Sequence, residues 1–261
     1  MIYIIVSLAS IVVAGLTFFS GFGLGTLLMP LFAIFFPVQV AVAATAVVHL
    51  MNNIFKVMLI GKHADKKIVL IFGIPAALAA FGGASLLTWL SRIEPLTAYQ
   101  LFGKEITIEP VNLAIGLLMM FFAIFELAPK LDRFSMSSKW IPFGGLLSGF
   151  FGGLSGHQGA LRTIFLTRAG LGKEQLIGTI AMSAMLVDIV RISVYGSTVF
   201  REHFASIGAK GALLVLIASV SAWAGSFIGK RFLKKITMQT VRLIIGTLLL
   251  VLGFGLASGI V

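Results

Sequence analysis

The apolar stretch 144–166, GGLLSGFFGGLSGHQGALRTIFL, carries an arginine, a histidine and a glutamine among its glycines. An arginine on a lipid-facing surface at the bilayer centre costs at least ~2.5 kcal/mol, so Arg162 must face a cavity or a partner, or reach the headgroups. Two roles follow. Its planar guanidinium can hold an oxyanion through two parallel hydrogen bonds, or its stem can snorkel so that the charge meets the lipid–water boundary. Gly159 and Thr163 flank it, and His157 and Gln158 lie in the cluster GGLSGHQG at 152–159. A histidine there can pass protons near neutral pH, or pack as a hydrogen-bonded neutral ring.

A second set lies on neighbouring apolar runs. Asp188 and Arg191 are three residues apart, hence on one helical face and able to pair. They form either a structural ion pair that offsets its own desolvation, or a proton carrier or latch with which substrate competes. Lys56 follows Asn52 and Asn53 by one turn and has no nearby acid in the sequence, so it is expected to snorkel toward the inner face. His49 shares that run. A third set is Gly23, Gly25 and Thr26, in SGFGLG at 20–25 and just after it. Substrate contacts are thus expected from Arg162, His157, Gln158, Gly159 and Thr163, with Gly23, Gly25, Thr26, Asn52 and Asn53. Coupling or gating falls to Asp188, Arg191, Lys56 and His49.

The composition decides what must position these groups. A chain 59% hydrophobic and only 11% charged cannot clothe a water-soluble surface. Its apolar blocks, about 2–36, 38–60, 68–91, 111–128, 140–167, 174–199, 209–229 and 240–258, are continuous runs of helix-spanning length, whereas outer-membrane strands alternate over ~10 residues. The expected class is an all-α polytopic membrane protein. The first block has no lysine or arginine ahead of it and no cleavage site, so it is expected to remain part of the fold.

The blocks repeat at a spacing of about 134: Gly149 falls on Gly15, Gly159 on Gly25 and Thr179 on Thr45, and one residue later Arg191 falls on Lys56. Two repeats are expected, 1–128 and 140–261, joined by a basic linker at 129–139. The loops at 61–67, 129–139 and 230–235 are rich in Lys and Arg and belong in the cytoplasm. Two full crossings, 174–199 and 209–229, already connect the last two of these loops. The block 140–167 must therefore enter and leave on the cytoplasmic face, and its counterpart 2–36 on the other. This gives two inverted-topology repeats, each a glycine-broken helical hairpin plus three transmembrane helices, with the N-terminus outside. Irregular backbone at membrane depth must line a cavity or be buried in protein. A helix that restarts at such a break offers free N–H groups and the positive end of its dipole to an anion.

Other chemistries find little support. The chain has no cysteine, no two histidines or carboxylates at metal-ligand spacing, and no GxxxxGK[ST] phosphate loop, so no cofactor or metal is implied. A membrane-embedded hydrolase using Ser155 or Ser183 lacks a base and acid at nominable spacing. The net charge of +11 suits anionic lipid rather than nucleic acid.

The segments GFGLGTLLMPLF at 21–32 and SGFFGGLSGHQGALR at 148–162, each opening a hydrophobic half, resemble those of the sulfite exporter TauE/SafE family of membrane permeases. The resemblance spans essentially the whole chain, with Leu24 in place of a usual glycine and with His157 and Gln158 where small residues are common. It implies a secondary transporter, most simply an exporter in the cell inner membrane, for a small sulfur-containing anion such as sulfite or an organosulfonate. The expected partners are that anion and the bilayer, as monomer or homodimer. A passive anion channel is the nearer rival to alternating access.

Overall fold

The computed structural model describes residues 2–20, 24–128, 137–167, 169–232 and 238–260. Gly23, most of the linker 129–139 and residues 233–235 of the basic loop 230–235 lie outside the described residues. The elements are α1 (Ile2–Ser20), α2 (Leu24–Ala33), α3 (Val38–Ile60), α4 (Lys66–Leu90), β1 (Thr97–Leu101), β2 (Lys104–Ile108), α5 (Pro110–Leu127), α6 (Ile141–Ser155), α7 (Gly159–Leu166), α8 (Lys173–Ser197), α9 (Val199–Phe232) and α10 (Met238–Ala257).

Local sequence sets several boundaries. The Asp65 side chain accepts from the Ile68 N–H at 2.9 Å and so starts α4. Proline at the first turn opens both α5 and α6. Gly156, in the left-handed region at φ 80°, ends α6 and returns its N–H to the Gly152 carbonyl.

Two expectations need correction. The chain is mostly helical but not all-α, because the segment between the apolar blocks 68–91 and 111–128 contains an antiparallel β1–β2 hairpin. The stretch between the apolar blocks 174–199 and 209–229, expected to separate two helices, is itself helical, with a kink at Gly208 between the two parts of α9.

Polarity is inverted relative to a water-soluble protein. Leu78, Phe81, Leu216, Val251 and Phe254 are exposed, while Arg162, Asp188, Arg191 and His157 are buried. Among the described residues five helices, 38–63, 66–90, 110–127, 173–197 and 208–229, are long and apolar enough to cross a bilayer. This is a multi-pass membrane protein. At 1.5 Å per residue α2 and α7, of 10 and 8 residues, reach only about 15 and 12 Å, well short of a ~30 Å hydrocarbon core.

Glycines bring the helices together, since lipid gives apolar side chains no reason to leave it and close packing must do the work. Along α4 and α6 the backbones touch: a Cβ on Gly145 would lie 2.3 Å from the Phe72 carbonyl oxygen, on Gly149 1.9 Å from that of Ala76, and on Gly153 2.2 Å from that of Ala80. These matches ascend together, so α4 and α6 run in the same direction. Helices α1 and α9 also run together, Gly225 meeting Ile11 and Gly229 meeting Gly15. By contrast α3 and α8 are antiparallel, with Asn53 beside Asp188 and Ile60 beside Gly178. So are α5 and α10, with Gly116 against Gly253 and Leu127 against Gly246.

Candidate functional site

The glycines of the second cluster divide their labour. Gly145, Gly149 and Gly153 are packing residues against α4, and the break proper is shorter than 152–159: it comprises Gly156, His157 and Gln158, after which α7 restarts at Gly159. The first hairpin reaches the same place, for a Cβ on Gly25 would lie 3.3 Å from the Gly156 carbonyl oxygen. The start of α2, with Thr26 buried beside it, therefore abuts the break between α6 and α7.

Asp188 on α8 organises the other wall. Its Oδ2 lies 2.7 Å from His49 Nδ1 and accepts from Asn53 Nδ2 at 3.0 Å, while its Oδ1 accepts from Arg191 Nε at 2.9 Å and Nη2 at 2.7 Å. Arg191 then donates from Nη1 to the Gly152 carbonyl at 3.1 Å, and the Tyr195 hydroxyl, one turn further on, donates to the Gly153 carbonyl. Helix α8 thus caps the Gly153 carbonyl and gives the Gly152 carbonyl a second donor beside the Gly156 N–H, and the Arg191 cation sits at the negative end of the α6 dipole. Asp188 and Arg191 form the expected pair, but as part of a chain from α3 through α8 to α6.

No side chain caps the N-terminus of α7. Around it, Arg162 is 2% exposed and its Nε and Nη1 make no hydrogen bond. Both ring nitrogens of His157 and the Gln158 Nε2 are likewise buried without partners, and the imidazole lies parallel to the Phe122 ring at 5.8 Å. Arg162 interacts electrostatically with Asp188, Arg191 and Lys56. Arg162 and Arg191 thus share the field of one carboxylate, which Arg191, His49 and Asn53 already occupy, and the Lys56 cation adds to the positive charge around Arg162. A buried cation without a hydrogen-bonded counterion carries a desolvation penalty of several kcal/mol, and an oxyanion held by Arg162 would offset it.

Two sequence expectations change here. Lys56, expected to snorkel, is buried with its Nζ 5.4 Å above the Phe18 ring, and Arg162, for which the sequence leaves both roles open, is buried too. Thr163 turns its hydroxyl to the Gly159 carbonyl at 2.9 Å, inside its own helix, so that hydroxyl proton is committed to the backbone. Asn52 accepts from the Ser226 hydroxyl at 2.7 Å and keeps Nδ2 without a partner, as Thr45 and Ser183 keep their hydroxyls. Tyr195, Ser226 and Phe122 carry no mark in the sequence that nominates them.

The family model for sulfite exporter TauE/SafE matches residues 4–256, nearly the whole chain. The chain belongs to the TauE/SafE family. Membership makes it a permease by lineage, in a family of membrane transporters for sulfur anions, and the buried cationic site lies within the matched residues. No curated protein and no solved structure matches the chain.

Proposed function

We propose that this TauE/SafE protein is a secondary transporter that moves a small sulfur-containing anion, sulfite or an organosulfonate, out across the cytoplasmic membrane by alternating access. The observation that carries this reading is the guanidinium of Arg162, buried with two unpartnered nitrogens, Nε and Nη1, near the uncapped start of α7. The anion would lie between them, with the free donors of His157, Gln158 and Asn52 within the same set of facing helices. His49, Asp188, Asn53 and Arg191 would hold the α6 end in place and form the latch that rearranges when the site changes sides.

The membrane arrangement proposed with it has two inverted repeats, 1–128 and 140–261. Support comes from the directions of the helices: α3 and α8, and α5 and α10, occupy matching places in the two halves and run antiparallel. Hairpins α1–α2 and α6–α7 would enter from opposite faces, with the N-terminus outside and the Lys/Arg-rich loops inside.

Thermal shifts of the purified protein with sulfite, thiosulfate, sulfoacetate, sulfate and phosphate test the substrate class, because a ligand that binds only the folded state raises Tm. Stabilisation by a sulfur anion with saturable flux in proteoliposomes supports the reading. Ohmic, non-saturating flux would make the protein a channel, and no stabilisation by any sulfur anion would remove the proposed substrate.

A further inference from the structure

The β-hairpin between α4 and α5 carries the only non-glycine residue at positive φ among the described residues, Phe102 at 51°. Leu101 pairs with Lys104, so Phe102 and Gly103 form a two-residue turn, and Gly103 is also left-handed at 77°. Such turns favour Asn-Gly or Asp-Gly, because the first position is costly for a bulky side chain. An aromatic kept there against that cost points to a use for its ring. The residue is also 97% exposed, the most exposed of the large hydrophobic residues among those described.

The rest of the hairpin shows where that ring goes. Tyr99, Leu101, Ile106 and Ile108 alternate onto one half-buried face, while Ala98, Gln100, Glu105 and Thr107 lie exposed on the other. The apolar face rests on the end of α10: Tyr99 donates to the Ser258 carbonyl at 2.8 Å, and Gly259 sits where any Cβ would strike the Thr107 carbonyl. The hairpin therefore lies across the ends of the membrane helices, and its tip projects past the protein with Phe102 leading. Trp89 at the end of α4 and Leu96 at the hairpin's base are 61% and 58% exposed at the same end, the pattern of an interfacial aromatic belt.

We propose that the tip of this hairpin is a lipid anchor: Phe102 inserts into the polar–apolar boundary of the bilayer, with Lys104 beside it facing the phosphates. The inference rests on the membrane fold and not on the anion site, so either can fail alone.

The chain has no cysteine, so single-cysteine variants take a nitroxide label at one position. Phe102→Cys, Leu78→Cys on the lipid-facing side of α4 and Lys62→Cys in a basic turn are labelled, placed in nanodiscs, and tested by EPR for collision with oxygen and with a water-soluble nickel chelate. The label at 102 should resemble that at 78, favouring oxygen over nickel several-fold, and should lose that preference in a water-soluble amphipol. A label at 102 as accessible to nickel as that at 62 would overturn the anchor. Dipolar broadening that depends on two copies sharing a disc would overturn it too, by making the tip a protein contact. Phe102→Asn guards against a merely structural role, because Asn suits the turn: a label at Leu101→Cys in that background should stay as immobile as in the parent while losing its oxygen preference. An unchanged oxygen preference there would show that Phe102 does not hold the tip in lipid.

Discussion

Replacing Asp188 by alanine removes the acceptor of four hydrogen bonds, from His49, from Asn53 and two from Arg191, at a site with no water access. The Arg191 guanidinium would remain buried with its Nε and Nη2 unpartnered. Breaking a buried ion pair from one side costs about 3–5 kcal/mol, against a total stability of about 5–15 kcal/mol. At about 2–4 °C per kcal/mol for a chain of this size, the thermal midpoint in detergent should fall on the order of 10 °C. The cycle partner is Arg191→Met, which also leaves the Gly152 carbonyl with the Gly156 N–H as its donor. Because an apolar pair leaves no orphaned charge, Asp188→Leu with Arg191→Met should be more stable than Asp188→Leu alone. A loss below about 1 kcal/mol for Asp188→Ala, or strictly additive effects in the cycle, would refute the view that Asp188 is the hub of the α3–α8–α6 chain.

Two further outcomes are expected. Gly82 and Gly83 adjoin on α4, yet a Cβ on Gly82 meets nothing within 4 Å whereas one on Gly83 would lie 2.0 Å from the Phe150 carbonyl oxygen. Gly82→Ala should therefore be neutral or stabilising by up to about 1 kcal/mol, while Gly83→Ala should force α4 from α6 and cost about 1–3 kcal/mol, both read from thermal midpoints. A reporter fused within 169–173, after α7, should read cytoplasmic; a periplasmic signal would mean that α6–α7 crosses the membrane and does not re-enter.

The sequence made the membrane class legible because exclusion of charge from lipid is a composition effect. It made the second hairpin legible because a glycine break within an apolar run is local. It did not separate the two uses of glycine: Gly149 and Gly156 look alike in sequence, but one meets a carbonyl on α4 and the other adopts a left-handed backbone. The β-hairpin was present as the alternation of Tyr99, Leu101, Ile106 and Ile108, hidden by a turn that has Phe102 where asparagine is usual. Tyr195 and Ser226 carried no signal, since their partners are a carbonyl on α6 and Asn52 on α3, each distant in sequence. Lys56 was misplaced because its burial follows from Phe18 on α1, a contact that only the packing of the first hairpin creates.

The central claim is that Arg162 holds the anion, and calorimetric titration of sulfite into wild-type and Arg162→Ala protein tests it most directly. Truncating one partner of a buried charge contact costs about 2 kcal/mol or more, so the substitution should weaken binding by at least roughly 30-fold while the ligand-free thermal midpoint stays within a few degrees of wild type. Sulfite binding by folded Arg162→Ala protein with wild-type affinity would contradict the account.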